Sequence, residues 1–497
     1  MKAGSIKLLL ILSIAVMGAG LLVGCAANPV TGEQDLTLMS EEREIALGKK
    51  NHPEIIKQYG AYDDPELQAY VNRIGQELVK HSHRTNLTYT FTVLDSPEVN
   101  AFALPGGYVY ITRGILSYIN SEAELAAVLG HEIGHVTARH GVQQYSKAMA
   151  TSVGMTLATI FVPELRTDVS QQLMNILGNA MLSGYGREDE LEADRLGAEY
   201  LARTSYDPNA MIDVIGILKN QEEFEKERAA KEGREPRVYH GVFASHPSAD
   251  TRLQQVVAAA NKYKKNGTKP GHINRESYLA QLDGVVFGDS VNQGIRRNNA
   301  FYHEALNFSL TFPAGWRLSN EPKALSATNP GRDAAMEVRL VELKKDEHLT
   351  AKQVMATKLK LGKLEQEGTV PGLKLPNHSA IARIATPFGR RNARVSVVLY
   401  QDRVYAFFGA TKTDALLKQT DPVFLKVAAS MHALTARERQ WAKGLRIGIV
   451  QAGRNTSFKA LARKSPIPNY PERLLRLIND KYPDGELQVG EAVKIIQ

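Results

Sequence analysis

The stretch Leu125-Ala-Ala-Val-Leu-Gly-His131-Glu132-Ile-Gly-His135 decides how the rest of the sequence is interpreted. Its apolar residues recur at the spacing of a helix face, and Ser121 with Glu124 predicts a capping box at the helix start. An α-helix turns about every 3.6 residues, so His131 and His135 lie one turn apart on the same face. Two imidazoles in this arrangement can share one Zn²⁺, with Glu132 beside the metal as a general base.

A catalytic zinc takes three protein ligands and leaves one position for water. The extended motif that supplies a third histidine is absent, because Ala138 and Gly141 occupy its glycine and histidine places. The third ligand must come from another segment, and Glu190-x-x-x-Asp194 is the best supplier. On a helix these two carboxylates share a face, so Glu190 can bind the metal while Asp194 accepts a hydrogen bond from a ligand histidine.

Three other polar residues near these motifs are interpreted without a metal-binding role. His140 lies off the ligand face of the helix and is predicted to be a structural or surface histidine. Glu188 and Glu192 point away from the Glu190 face and are predicted to be solvated charges.

The composition excludes several classes of protein. The 497 residues are 43% hydrophobic, which is typical of folded domains and long enough for two to four of them. The net charge of +8 fits a solvated basic face or contact with an anionic envelope surface, and no nucleic-acid motif accompanies it. A single cysteine excludes an internal disulfide.

The first 25 residues are predicted to be a lipoprotein signal peptide. Lys2 and Lys7 precede an apolar run from Leu8 to Gly24. The string Leu22-Val-Gly-Cys25 resembles the lipobox of bacterial lipoproteins, in which the cysteine is lipidated. That resemblance implies a lipid anchor on Cys25 and, because Ala26 follows, a place on the outer membrane facing the periplasm. A plain anchor helix with an incidental thiol is the alternative.

Residues 26–262 are predicted to form the metal-binding domain, mainly helical with a small sheet. Helices are expected at Glu41–Lys50 and from Pro65, a strand at Leu87–Leu94 and a loop at Asn100–Gly107. The strand Tyr108–Thr112 is expected to be exposed beside the cleft, where an extended peptide could add to it, or to be ordinary sheet structure. Ala148–Ser183 is predicted to form two helices that are core packing, a lid or a membrane-facing surface.

Two further modules are predicted after a basic linker. Residues 275–435 read as an α+β accessory domain, with a hairpin at Val395–Gly409 turning at Gln401-Asp402 and helices near Thr350–Glu367 and Asp421–Leu434. Residues 443–497 resemble a lysin motif, with strand, two helices and strand in that order. That resemblance implies contact with peptidoglycan, although an inserted Pro466–Pro468 stretch departs from the usual spacing.

The motifs of residues 26–260 resemble one gluzincin family, which contains the CAAX prenyl endopeptidases and bacterial envelope metallopeptidases. The resemblance rests on Asn100–Gly107, His131–His135, Glu190–Asp194 and His246-Pro with Arg252, in that order. It implies a zincin-type fold with one Zn²⁺ per chain, Glu190 as third ligand and Asp194 as its support. It also implies that His246 can occupy the fourth zinc position and hold the enzyme latent. Alternatively, His246 or Arg252 stabilises the oxyanion of the transition state.

These features predict an α+β multidomain zinc endopeptidase of the bacterial periplasm. Its expected substrates are misfolded or unassembled envelope proteins, with a possible chaperone-like activity. The alternative is a non-catalytic envelope scaffold whose zinc site is structural and whose residues 275–497 bind cell wall or client proteins. An intact Glu132 favours the enzyme, because a structural site does not need it.

Overall fold

The computed structural model describes residues 25–37, 39–147, 185–232, 236, 271–321, 324–344 and 346–497. They fall into two compact units, the first built from residues up to 56, 61–287 and 446–497, the second from 57–60 and 288–445. Three sets of predictions lie outside the described residues: the signal peptide before Cys25, the helices of Ala148–Ser183, and the roles of His246 and Arg252. The domain boundaries drawn from the sequence remain predictions.

The elements up to residue 287 are mostly helices with short strands between them. They are β1 (Cys25–Ala27), β2 (Gln34–Leu36), α1 (Glu41–Tyr59), α2 (Pro65–Lys80), β3 (Thr90–Leu94), β4 (Ala101–Leu104), β5 (Tyr108–Thr112), α3 (Arg113–Leu116), α4 (Glu122–Thr137), α5 (Arg187–Arg203), α6 (Ala210–Lys231), α7 (Arg275–Leu282) and β6 (Val286–Phe287).

Local sequence signals place the starts of these helices well. The α2 helix begins as predicted, because the Asp64 carboxylate accepts a hydrogen bond from Leu67 N at 3.0 Å and Pro65 occupies the first turn. The α1 helix runs past its predicted end at Lys50 and continues through Pro53 to Tyr59.

The α4 helix, which carries the histidine motif, is the central element of the first unit. Ser121 caps it by accepting from Glu124 N at 3.2 Å, while the Glu124 carboxylate accepts from Asn120 N at 2.7 Å. The sequence predicted one apolar face, yet all 16 residues of the helix are buried. Every polar side chain on it therefore has to find a partner inside the protein or hold a ligand.

A three-stranded sheet in the order β3-β5-β4 lies beside α4. Strand β5 has the predicted bounds Tyr108–Thr112, but it is the middle strand, parallel to β3 and antiparallel to β4. The expectation that β5 is an exposed strand able to accept a peptide is therefore wrong, because both of its edges are already paired. The predicted loop Asn100–Gly107 is also corrected, since Ala101–Leu104 forms the edge strand β4.

The second unit contains a four-stranded sheet, a seven-stranded sheet and short helices. Its elements are β7 (Ile295–Arg297), β8 (Ala300–His303), β9 (Phe308–Thr311), β10 (Arg317–Glu321), β11 (Ala324–Thr328), β12 (Ala334–Val341), α8 (Ala351–Thr357), β13 (Leu364–Gly368), β14 (Asn377–Thr386), β15 (Gly389–Tyr400), β16 (Arg403–Thr411), α9 (Asp414–Ala429), β17 (His432–Ala433) and α10 (Ala436–Trp441). The strand orders are β17-β9-β8-β7 and β10-β11-β12-β16-β15-β14-β13.

Turn chemistry was predicted better than helix length in this unit. The β15–β16 hairpin turns at Gln401 and Asp402, as predicted, and both have positive φ, 50° and 55°. The helix predicted for Thr350–Glu367 is wrong beyond α8, because residues 364–368 form strand β13. Helix α9 begins at Asp414, seven residues before the predicted start at Asp421.

The last segment contains β18 (Leu445–Gln451), α11 (Phe458–Lys464), α12 (Pro471–Ile478) and β19 (Ala492–Ile496). The βααβ order matches the prediction, while the lysin-motif identity stays a prediction. The two strands join β6 in one sheet, so residues 446–497 are part of the first unit. Lys494, fully buried, donates to the carbonyls of Ser117 and Ile119 at 2.8 and 2.7 Å, just before α4 begins.

Within the described part of the chain, the helices are all too short or too polar to cross a lipid bilayer.

Candidate metal centre

His131 and His135 present their Nε2 atoms to the same point. Both belong to α4, one turn apart, and both side chains are buried. Their Nε2 atoms are 3.0 Å apart and the two rings meet edge to face. Two imidazole nitrogens facing each other at this distance form a pair that a shared cation can bridge.

Glu190, on α5, completes the cluster. Its carboxylate oxygens lie 3.6 Å from His131 Nε2 and 3.5 Å from His135 Nε2, and the side chain has no solvent exposure. One ligand atom from each of the three residues lies within 4.8 Å of the others. The described residues contain no other group of three His, Cys, Asp or Glu that meets this condition.

Glycines let α4 and α5 approach closely enough for Glu190 to reach the histidines. A Cβ on Gly134 would lie 3.0 Å from the Ala193 carbonyl oxygen, and one on Gly197 would lie 3.1 Å from His131 N. Side chains at these positions would push the helices apart. Gly134, inside the motif itself, is therefore needed for packing rather than for chemistry.

Each histidine of the pair is held through its other nitrogen. His131 Nδ1 lies 2.9 Å from Asp194 Oδ1, and His135 Nδ1 lies 2.8 Å from His140 Nδ1. A histidine whose Nε2 keeps a free lone pair carries its proton on Nδ1, so Asp194 and His140 are placed to accept those protons. The contact places Asp194 next to His131, and its role as support of a metal ligand stays a prediction.

His140 has a larger part than the sequence indicated. It is 1% exposed, and its Nε2 lies 3.3 Å from Glu192 Oε2, so His135, His140 and Glu192 form a chain of hydrogen bonds. The prediction of a structural histidine is consistent with this position, but the prediction that Glu192 is a solvated charge is wrong. The hydrogen bond from His140 lowers the pKa of Glu192 below its usual value, and burial opposes that shift. Glu188 is exposed, as expected.

Tyr185 is a neighbour that the sequence did not reveal. Its ring stacks on His135 with centroids 4.1 Å apart and an interplanar angle of 21°. Burial, with smaller effects of the nearby Glu132 and Glu190 carboxylates, raises the pKa of its phenol above the usual value, so the hydroxyl keeps its proton. No motif spacing links Tyr185 to the histidines, which is why it was missed.

Glu132 and the edge strand β4 flank the cluster. Glu132 follows His131 on α4 and is 2% exposed. Ala103 and Leu104 of β4 line a small pocket together with His135 and Tyr185. Among the described strands, an edge strand of this sheet therefore lies beside the histidines.

The chemistry of the donor set fits zinc. Two imidazole nitrogens and one carboxylate are a common ligand set of catalytic zinc, whereas structural zinc sites are usually closed by a fourth Cys or His. Cys25 is the only cysteine of the chain. The described residues thus supply three ligands for one Zn²⁺, as predicted.

Comparisons with known proteins agree with this site. Residues 65–260 match the model described as Peptidase family M48. A "Beta-barrel assembly-enhancing protease" of Yersinia pestis is 28% identical over 255 residues, which are 50% of this chain and 50% of that protein. Its namesake in Escherichia coli K12 is 30% identical over 209 residues, 41% of this chain and 40% of that protein.

A eukaryotic relative shares the same region. The "Mitochondrial metalloendopeptidase OMA1" of Schizosaccharomyces pombe is 30% identical over 233 residues, which are 46% of this chain and 64% of that protein. The chain thus spans about half the length of the curated relatives it matches. These matches confirm the resemblance to a peptidase family that the motifs of residues 26–260 had indicated.

Proposed function

We propose that the chain, whose residues 65–260 match peptidase family M48, is a zinc-dependent endopeptidase. The observation that carries this proposal is the convergence of His131, His135 and Glu190 on one point, with Glu132 next to the first ligand on the same buried helix. A metal-binding cluster that served structure alone would not need a buried carboxylate beside it.

Glu132 acts as the general base in this proposal. It accepts a proton from the water that attacks the scissile carbonyl and later returns that proton to the leaving amine. Bound by His131, His135 and Glu190, zinc supplies a Lewis acid that brings the pKa of water toward about 7. Asp194 and His140 hold the two imidazoles in the tautomer whose Nε2 faces the cluster.

Strand β4 is the proposed docking edge for the substrate backbone. Among the described strands it lies at one edge of its sheet, and its residues Ala103 and Leu104 lie in the pocket that contains His135. An extended peptide that adds to this edge by main-chain hydrogen bonds would pass beside the metal ligands. This assignment replaces the one made from sequence for Tyr108–Thr112.

His246 keeps its proposed role as the fourth zinc ligand of a latent state, and the alternative remains that His246 or Arg252 stabilises the oxyanion. The two roles predict opposite results for His246→Ala. Loss of a latency ligand raises the rate of proteolysis, whereas loss of a transition-state donor lowers it.

The biological setting is proposed from the sequence and the names of the relatives. The lipobox-like string at Cys25 supports a protein that is lipid-anchored to the outer membrane and faces the periplasm. The relatives named for β-barrel assembly support misfolded or unassembled envelope proteins as substrates. Residues 443–497 are proposed to contact peptidoglycan.

The test is proteolysis of an unfolded casein by purified wild type, Glu132→Gln and Glu188→Gln. We expect Glu132→Gln to retain its zinc and to lose activity by about 10²- to 10⁴-fold, the range typical of a removed general base. The Glu188→Gln variant, changed at an exposed carboxylate of α5, should keep wild-type activity. Proteolysis unaffected by Glu132→Gln would contradict the general-base role of Glu132. Absence of proteolysis by zinc-loaded wild type would favour the non-catalytic scaffold.

A further inference from the structure

A groove of about 780 Å³ lies on the seven-stranded sheet of the second unit. Its floor is formed by outward-facing residues of β11, β12 and β16. The register places Ser326, Glu337 and Phe408 side by side in one row, and Thr328, Ala335 and Ala410 in the next. The volume lies within the range of about 300 to 1,000 Å³ that is usual for ligand sites.

Alternation along the strands separates this floor from the protein core. Leu325, Met336 and Phe407, which alternate with the floor residues, are buried in the core that contains Phe424 of α9. On the groove side, α8 covers a different part of the sheet, where Val354 packs with Val395 and neighbouring residues. In the described part of the chain, the floor is therefore a sheet face that is only partly covered, rather than a packing defect.

Two walls turn this face into a groove. One is the segment 358–363 that follows α8, and the other is the end of the β14–β15 hairpin, residues 383–390. The walls contribute apolar side chains, among them Leu359, Ile384 and Phe388, all partly exposed. A ligand in the groove would thus meet apolar surface on both sides.

The charge of the lining is strongly one-sided. Six of its residues are cationic and only Glu337 is anionic. Lys358 and Lys363 pair with Glu347 and Glu365 outside the lining, and Arg339 pairs with Glu337. The guanidinium of Arg339 also lies 4.4 Å from the centre of the Phe408 ring.

Three of the lining cations, Lys360, Arg383 and Arg390, are exposed and have no ion-pair partner among the described residues. Cations gathered around one cavity repel each other, and an anionic ligand removes that repulsion. The groove is therefore complementary to negative charge.

We propose that this groove binds an acidic peptide segment that also carries apolar side chains. The cations pair with its carboxylates, and the apolar walls receive its aliphatic or aromatic side chains. The polar floor residues Ser326 and Thr328 favour a peptide, whose backbone can hydrogen-bond to them, over an acyl chain, which needs an entirely apolar lining. This binding site is distinct from the metal centre and does not rest on the proposed peptidase function.

The proposal is tested by fluorescence anisotropy with the full chain. The probe is a labelled ten-residue peptide in which Glu and Asp alternate with Phe and Leu, its integrity checked by mass spectrometry. We expect saturable binding that weakens as NaCl is raised from about 50 mM to about 300 mM, because exposed charge pairs are screened. A probe with Lys in place of each acid, or with Ser in place of each apolar residue, should bind at least about tenfold more weakly.

Matched variants test whether binding depends on the cations of the groove or only on the net charge of the protein. Lys360→Glu, Arg383→Glu and Arg390→Glu combined should weaken binding of the acidic probe by at least about tenfold. The control combines Lys374→Glu, Lys418→Glu and Lys426→Glu, which change the net charge equally at exposed residues outside the groove, and should bind within about twofold of wild type. Phe388→Ala tests the apolar wall and should weaken binding at constant net charge.

Three results would overturn the proposal. They are absence of binding to wild type, equal losses in the two triple variants, or binding of anionic phospholipid vesicles through the same three cations without binding of the peptide. Circular dichroism of each variant establishes that it is folded. Cleavage of casein, measured on the same samples, reports independently on the metal centre.

Discussion

Both ends of helix α4 bury ionisable side chains, yet only one of them is built to hold an ion. At the beginning of the helix lie Glu122 and Glu124, and near its end lie His131, Glu132 and His135. The difference between these ends lies in what surrounds the charged groups, since their burial is the same.

At the beginning of α4 the protein itself supplies hydrogen-bond donors. The Glu122 carboxylate accepts from Tyr70 and Tyr206 hydroxyls, both at 2.7 Å, and from Arg73 and Asn274 at 3.0 Å. Burial alone would raise the pKa of Glu122, but these four donors outweigh it and lower the pKa. The Glu122 carboxylate is therefore stabilised by donors of the protein itself, without any ligand.

At the other end, acceptors face one another. The Nε2 lone pairs of His131 and His135 and the carboxylate of Glu190 meet at one point, and their outer nitrogens are engaged by Asp194 and His140. Such a set is complete only when a cation occupies the centre. The comparison teaches that convergence of acceptors, rather than burial of acids, identifies a metal site.

The largest effect is expected on zinc affinity when the Glu190 carboxylate is removed from the metal centre. Glu190→Ala should weaken zinc binding by at least about 10³-fold, because a direct ligand is lost and two imidazoles remain. Competition with a chromophoric chelator measures it. Glu188→Ala on the same helix is the control, and tight zinc binding by Glu190→Ala would remove Glu190 from the ligand set.

The second largest effect is expected at the beginning of α4, where Glu122 accepts hydrogen bonds from four donors. Glu122→Ala should lower the free energy of unfolding by about 2 to 4 kcal/mol, since several buried donors lose their acceptor, while zinc affinity of the folded protein stays unchanged. Urea unfolding measures it, with the exposed Glu66→Ala on α2 as the matched control. If Glu122→Ala lowered zinc affinity without affecting stability, the two ends would not be independent.

A smaller effect is expected from His140, whose Nδ1 lies next to Nδ1 of the ligand His135. His140→Phe keeps a ring of similar size but cannot accept the proton on His135 Nδ1, so zinc affinity should fall by about 10- to 100-fold. Chelator competition again provides the measurement. His81→Phe, at an exposed position, should have no effect. Unchanged affinity in His140→Phe would mean that this contact only fills space.

The smallest effect is a pH dependence from Glu124. Burial raises its pKa to about 7, while the Asn120 backbone N–H and the Lys494 charge oppose the shift. The folded chain therefore keeps a proton that the unfolded chain loses near the usual carboxyl pKa of 4.5, so the free energy of unfolding falls as the pH rises from about 4.5 to about 7. We expect a decline of about 1 to 3 kcal/mol between pH 5 and about pH 7.5, absent in Glu124→Gln.

Denaturant unfolding of metal-free wild type, Glu124→Gln and the control Glu66→Gln at the two pH values measures this difference. Comparing variants removes the contributions of other titrating groups. An equal pH dependence in wild type and Glu124→Gln would contradict the raised pKa.

Much of the metal centre at the end of α4 could be predicted, because the sequence patterns that specify it are local. The i, i+4 spacing of His131 and His135 and of Glu190 and Asp194 follows from helix geometry, and the Ser121 cap marks where the helix begins. The hairpin at Gln401-Asp402 was predicted for the same reason. Each of these patterns is decided within a few residues of the chain.

The features that the sequence did not predict depend on the path of the chain beyond the local patterns, and so on contacts between distant segments. Helix α4 stops at Thr137, and Arg139 adopts a positive φ of 59°, so helical spacing no longer describes where His140 points. Strand order is likewise a long-range property, which is why β5 was mistaken for an exposed strand. The contact of Lys494 with Ser117 joins residues far apart in sequence and leaves no local signal.

The central claim is that the three acceptors at the end of α4 form a zinc site, and X-ray absorption at the zinc K edge of the purified full chain tests it most directly. We predict one Zn²⁺ per chain, bound by nitrogen and oxygen atoms with the multiple-scattering signature of at least two imidazoles, and loss of that signature in His131→Ala. A chain that binds no zinc under metal-replete conditions, or one whose zinc keeps the same spectrum in His131→Ala, would contradict the account.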